Sequence, residues 1–176
     1  LRLQMNPHFI FNALQSIQGF IARNDSAEAR RYLAKFGKLM RLTLDNSRQQ
    51  WTSVEQEAEL LQHYLTLEAL CMNNSFTFDI HTSEVEAPES TYLPVMLIQP
   101  FAENAVVHGM RHLEKGGQIS IHFIVTENQL TVKITDNGVG RKRASLLESK
   151  EIKQHESAAL DITRERLKQL NEPGKP

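Results

Sequence analysis

The chain has 176 residues, a formal net charge of −1 and an apolar fraction of 40%, enough for one ordinary domain or for a small domain joined to a helical module. Its balanced charge gives no electrostatic case for nucleic acid, and no apolar run approaches the roughly 20 residues that a membrane span requires. The single cysteine, Cys71, excludes an internal disulfide and fits a reducing compartment. There is no initiating Met and Leu1 opens in mid-pattern, so the chain reads as an excised piece of something longer.

Residues up to about 50 predict two helices. Ile10, Leu14, Ile17 and Ile21 recur with helical spacing, widened by Phe9, Phe11 and Phe20. Asn24-Asp25-Ser26 supplies a turn and a cap for the second helix, which carries Leu33, Phe36, Met40 and Leu44. Such a hairpin cannot bury both stripes alone, and pairing with a second copy into a four-helix bundle is the expected solution. Thr52-Ser-Val-Glu55 has the form of a capping box that starts a third helix running to about Met72, ended by Asn73-Asn74-Ser75.

The period then changes. Phe76, Phe78 and Ile80 alternate as a strand does, and so do Ile119–Val125 and Leu130–Thr135, a hairpin joined at Glu127-Asn128. A helix beginning near Pro94 lies between the first strand and this hairpin. A charged stretch from Arg141 to Glu156 precedes a last helix with Leu160, Ile162, Leu167 and Leu170. The order predicts an α+β sandwich with helices on one face of a mixed sheet. Three evident strands are few for a layer covering three helices, so C-terminal strands are expected to be missing from this chain.

Two clusters carry chemistry. The first is Gln99-Pro-Phe-Ala-Glu-Asn-Ala-Val-Val-His-Gly109, followed downstream by Asp136-Asn-Gly-Val-Gly140 at a strand end. Helical spacing puts Asn104 and His108 on one face, and burying such groups among apolar neighbours costs several kcal/mol unless they find partners. Gly138 and Gly140 permit a close backbone approach. A polar helix face beside a strand-end Asp-Gly turn is what a nucleotide-Mg²⁺ site needs. The second is Gln4-Met-Asn-Pro-His8-Phe-Ile-Phe-Asn12. Pro7 fits a first helical turn capped by Asn6, which holds His8 outward with Asn12 one turn along, and an exposed neutral imidazole is a competent nucleophile toward phosphorus. His108 and His112 are four apart but lack a third ligand, so zinc is not expected there. His63, His81, His122 and His155 lack company and read as structural or solvated, and Arg141, Lys142 and Arg143 as a solvated charge run.

On these residues the chain resembles the transmitter core of sensor histidine kinases of the LytS/YehU type. Residues 6–12 match that family's Asn-Pro-His-Phe phosphoacceptor segment, residues 99–109 its nucleotide box, and residues 136–140 its Asp-Asn-Gly-x-Gly box. Tyr64-Leu-Thr-Leu-Glu68 resembles the linker between the two modules. The resemblance implies a dimerising phosphotransfer hairpin over 1–50 and an ATPase-like catalytic domain over 51–176, incomplete at its C-terminus. It implies an ATP-dependent kinase that autophosphorylates His8 and passes the phosphoryl group to an aspartate of a response regulator. Asn104 would ligate Mg²⁺, with Glu103 and His108 supporting the phosphate and metal side. Asp136 would accept the adenine amino group, with Asn137, Gly138 and Gly140 completing the nucleotide site and the hinge of its lid. Asn12 would orient a water for dephosphorylation.

The implied partners are the regulator's receiver domain and a second copy through the first two helices, with no nucleic acid and no membrane contact by this fragment. The implied location is cytoplasmic, on a parent anchored in the bacterial inner membrane. Two positions depart from the pattern. Ser157-Ala-Ala-Leu160 stands where a second glycine box is usual, and alanine cannot take φ > 0 cheaply. Cys71 stands where an arginine is usual. The alternative reading is therefore a nucleotide-binding, dimeric signal relay with weak or no kinase activity. A hydrolysing ATPase would place a glutamate one turn before Asn104, where this chain has Pro100.

Overall fold

The computed structural model describes residues 7–111, 113–127 and 129–140, and the side chains of these except for Pro7 and His8. The expected lid at Ser157–Leu160, the charged stretch before it and the last helix lie outside the described residues, as do His112 and Asn128. Along the chain come α1 (Pro7–Ala22), α2 (Ser26–Ser47), β1 (Trp51–Ser53), α3 (Val54–Cys71), β2 (Phe76–Glu84), β3 (Tyr92–Pro94) and α4 (Gln99–Asn104). A π-helical turn (Ala105–Met110), β4 (Gly117–Thr126) and β5 (Gln129–Asp136) follow. The class is α+β, and the main sheet is mixed as expected: β2 runs parallel to β4, and β4 antiparallel to β5.

Local chemistry sets the ends of the elements. Asn24 takes φ 58° and Asp25 caps α2 by accepting from Glu28 N at 3.1 Å. The α3 cap sits one residue later than the sequence suggests. Ser53 is the N-cap, accepting from Gln56 N at 3.2 Å, while Gln56 Oε1 accepts from Ser53 N at 3.3 Å. Pairing of β1 with β3, two short strands that alternation does not signal, sets this register. Asn73 and Asn74 at φ 52° and 54° turn the chain out of α3. Pairing of Thr126 with Gln129 leaves a two-residue connection between β4 and β5.

The hairpin stripes are rotated from the expected ones. Phe9 and Ala13 of α1, and Tyr32, Leu39 and Thr43 of α2, are buried, whereas Leu14, Ile21, Leu33 and Leu44 are exposed. The reason is α3, which is buried around most of its circumference and takes the hairpin on one side. The Phe9 ring lies 5.2 Å from that of Tyr64, and Lys38 Nζ is 3.1 Å from Glu59 Oε1. On the other side α3 meets the apolar sheet face of Phe76, Ile119, Ile121 and Phe123. No helix among the described residues is long and apolar enough to cross a membrane.

The helix with the polar cluster starts at Gln99, five residues later than Pro94, because Tyr92–Pro94 is held as β3 and Met96 adopts φ 56°. This helix has no side-chain cap of its own. Glu57 of α3, fully buried, reaches across instead: its Oε1 accepts from Ile98 N at 3.3 Å, while Oε2 has no partner. A buried carboxylate at a helix start gains from the backbone N–H groups there but loses hydration. Burial dominates and pushes the Glu57 carboxyl up to about 7 against the pull of the Ile98, Gln99 and Met96 N–H groups.

A folded-state pKa raised above the ordinary value makes this group's contribution to stability fully present below about 4.5 and lost as pH rises through about 7. Glu57→Gln is therefore expected to gain stability relative to the parent between pH 5 and pH 8, by up to about 3 kcal/mol. Denaturant midpoints at both pH values measure the gain, and a difference that does not change with pH contradicts it.

Candidate nucleotide site

The π-helical turn and the end of β5 enclose a cleft of about 330 Å³. Phe101, Asn104, Ala105, His108 and Gly109 line it from the helical side, and Ile134, Asp136, Gly138 and Gly140 from the strand side. The turn is π-helical because Arg111 N donates to Val106 O, five residues back, at 3.1 Å. Such widened turns are frequent at functional sites. Asn104 and His108 remain on one face across it, as the spacing predicts, and both are half-buried.

Two glycines set the width of the cleft. A Cβ on Gly138 would lie 2.2 Å from Gly109 Cα, and one on Gly109 would lie 2.7 Å from Asp136 Oδ1. The backbones therefore touch where any side chain would separate them. Val139 N donates to Gly109 O at 3.4 Å across the same contact. Gly138 N donates to Asp136 Oδ1 at 3.0 Å, a local turn that fixes the carboxylate at the strand end. Gly140 takes φ 77°, a conformation open to glycine. Gly138 thus acts by backbone packing, and Gly109, in the box but without a role in the sequence reading, is its counterpart.

Other expected residues lie elsewhere. The Asn137 amide is committed to backbone: its Oδ1 accepts from Gln118 N at 2.6 Å and its Nδ2 donates to Gly116 O at 3.0 Å, tying the exit of β5 to the entry of β4. Glu103 does not line the cleft, and its Oε1 accepts from Gln99 Nε2 at 3.0 Å. His8 is the second residue of α1, and its side chain lies outside the described residues.

Asn12 lines a separate cavity of about 400 Å³ between α1 and the end of α3, with Ser16, Arg23, Glu68, Cys71 and Arg111. There Cys71 Sγ sits 2.8 Å from Tyr32 Oη and accepts from Ser16 Oγ at 3.1 Å, and burial pushes its thiol up. Glu68 is raised by burial, opposed by the nearby Arg111 charge and by the Tyr64 hydroxyl bonded to it. This cavity is larger, but the cleft joins the strand-end acid, the Asn amide and the close backbone approach that phosphates and a base require.

The cleft chemistry fits a nucleotide with its metal. Asn104 offers a hard amide oxygen of the kind Mg²⁺ accepts alongside waters and phosphate oxygens. Asp136 offers an oriented carboxylate acceptor, and His108 a nitrogen that neutral imidazole or imidazolium can turn toward phosphate.

The profile of the family described as histidine kinase matches residues 1–76. The sensor protein LytS of Enterococcus faecalis is 34% identical over 142 residues, covering 80% of this chain and 23% of the relative. The LytS proteins of Staphylococcus epidermidis and Oceanobacillus iheyensis are 30% and 29% identical over 140 and 163 residues, covering 80% and 89% of this chain. They are covered to 23% and 27% of their own length, so the chain spans about a quarter of the curated relatives it matches. On these comparisons the chain belongs to the histidine-kinase family, in its LytS-type branch.

Proposed function

We propose that this chain is the transmitter segment of a two-component sensor kinase, which binds ATP and Mg²⁺ and autophosphorylates His8. The observation that carries this reading is the cleft in which Asn104, His108 and Asp136 meet across the Gly109–Gly138 contact. Asp136 holds the adenine amino group, Asn104 ligates Mg²⁺ and His108 supports the phosphates. An imidazole nitrogen of His8 attacks the γ-phosphorus. A nitrogen–phosphorus bond forms, the bond to the bridging oxygen breaks, and ADP leaves; Mg²⁺ held by Asn104 would supply the neutralising charge. The phosphoryl group then passes to an aspartate of a response regulator.

The exposed apolar face of the hairpin, with Phe11 and Ile21 65% and 61% exposed, supports a homodimer through the first two helices. We assign residues 1–50 to this phosphotransfer hairpin and 51–176 to the catalytic domain, with α3 as the seat of the first on the second. The parent protein is anchored in the bacterial inner membrane, with this segment on the cytoplasmic side. A hydrolysing ATPase is disfavoured because Glu103, the glutamate beside Asn104, is turned to Gln99.

Incubating the full-length parent with γ-labelled ATP and Mg²⁺ is expected to give acid-labile label that His8→Gln abolishes. ATP binding without label identifies the relay reading, and free phosphate unaffected by His8→Gln identifies an ATPase. Asp136→Asn is expected to weaken ATP binding about tenfold or more in a calorimetric titration, the loss of a hydrogen bond to a charged group. In Gly138→Ala the added methyl must push Gly109 away or move the end of β5, which is expected to cost about 1–3 kcal/mol of stability. ATP affinity is expected to fall with it, and unchanged denaturation and ATP titration curves contradict the packing role.

A further inference from the structure

His81 and His122, which sequence spacing leaves without company, meet on the open face of the sheet. The parallel register of β2 with β4 pairs Asp79 with Ser120 and His81 with His122. Side chains at alternate positions share a face, so these four stand opposite the apolar face on which Phe78, Ile119 and Ile121 pack toward the core. The two imidazole rings stack with centroids 4.4 Å apart and an interplanar angle of 28°. His81 Nε2 lies 2.9 Å from Asp79 Oδ2, and Ser120 Oγ hydrogen-bonds to the same carboxylate oxygen and lies 2.9 Å from His122 Nε2. One ligand atom each from Asp79, His81 and His122 therefore falls within 4.8 Å of the other two.

The 2.9 Å between His81 Nε2 and Asp79 Oδ2 is that of neighbouring ligands around one small cation, and a side-chain rotation would bring His122, within 4.8 Å, into the set. Metal–nitrogen and metal–oxygen bonds of about 2 Å place adjacent ligand atoms about 3 Å apart. Two imidazoles and one carboxylate are the donor set of Zn²⁺ and its first-row neighbours, and nitrogen ligands disfavour Mg²⁺ and Ca²⁺. The hydrogen bond from Ser120 holds Asp79 below the usual carboxylate range, so the oxygen is ionised at neutral pH. Lys133 of β5 pairs with His122 in the register and is the cation nearest in the ladder. Its exposed position lets its ammonium turn to solvent.

We propose that Asp79, His81 and His122 form a surface site for a divalent first-row transition cation, with Ser120 orienting the carboxylate and the remaining positions open to water. The cation would clamp β2 to β4 from the face opposite Ile134, which lines the nucleotide cleft. The site is independent of the kinase reading and takes a different metal.

The test is a Zn²⁺ titration of the chelator-stripped protein against a chromogenic competitor. The parent is expected to bind an equivalent of Zn²⁺ whose affinity falls about tenfold or more in His81→Ala, in His122→Ala and in Asp79→Asn. His63→Ala, a histidine far from the site in sequence and on α3, is expected to keep the parent affinity. Far-UV circular dichroism checks the fold of each variant. Ring resonances of His81 and His122 in the unaltered protein provide a second readout and are expected to shift on saturation with Zn²⁺. Equal Zn²⁺ affinity in the parent and in the two histidine variants, absence of saturable binding up to millimolar Zn²⁺, or ring resonances that do not move each overturn the proposal.

Discussion

The contact between Gly109 and Gly138 governs how the helical layer and the sheet meet at the cleft. With no Cβ on either residue, the π-helical turn and the end of β5 approach until backbone touches backbone. That distance leaves Asn104 and His108 facing Asp136 across a space of about 330 Å³ rather than packing directly on it. The same approach brings Val139 N to Gly109 O, so the segment leaving β5 is tied to the helix that carries the polar residues. Asn137 fixes the other side of that exit on the start of β4. A box of glycine and small polar residues that reads as nucleotide chemistry is therefore also a packing device.

α3 plays the corresponding part for the rest of the chain. It is buried around most of its circumference, and its polar residues make contacts at three distances from the cleft. Glu57 holds the start of the helix that bears Asn104, Glu59 meets Lys38 on α2, and Glu68 bonds Tyr64 beneath the Phe9 ring of α1. A carboxylate with one unsatisfied oxygen at zero exposure is expensive. At Glu57 the cost is accepted at a helix start that lacks a side-chain cap of its own. Movement of α3 would thus be felt both at α1, which carries His8, and at Asn104 in the cleft.

Much of this was legible in the sequence where the signal is local. The hairpin, the cap at Asp25, the alternating strands and the pair of boxes each follow from spacing within a few residues. The failures follow from distance. The hairpin stripes rotate because α3, many residues away, takes Phe9, Tyr32 and Leu39. The helix at Gln99 starts late because β1 and β3 pair and Glu57 supplies a cap from another element. Asn137 looked like a ligand by its place in a box, yet its amide is used by Gly116 and Gln118. His81 and His122 looked solitary because a parallel strand pairing, invisible to periodicity, brings them together.

The central claim is that the cleft between the π-helical turn and β5 is where ATP binds. Amide chemical-shift mapping of the protein with a non-hydrolysable ATP analogue and Mg²⁺ tests it most directly. Saturable shifts are expected at Asn104, Ala105, His108, Gly109, Asp136 and Gly138. Shifts confined to Asn12, Ser16, Arg23, Cys71 and Arg111, around the larger cavity, or no saturable shift at all, would contradict it.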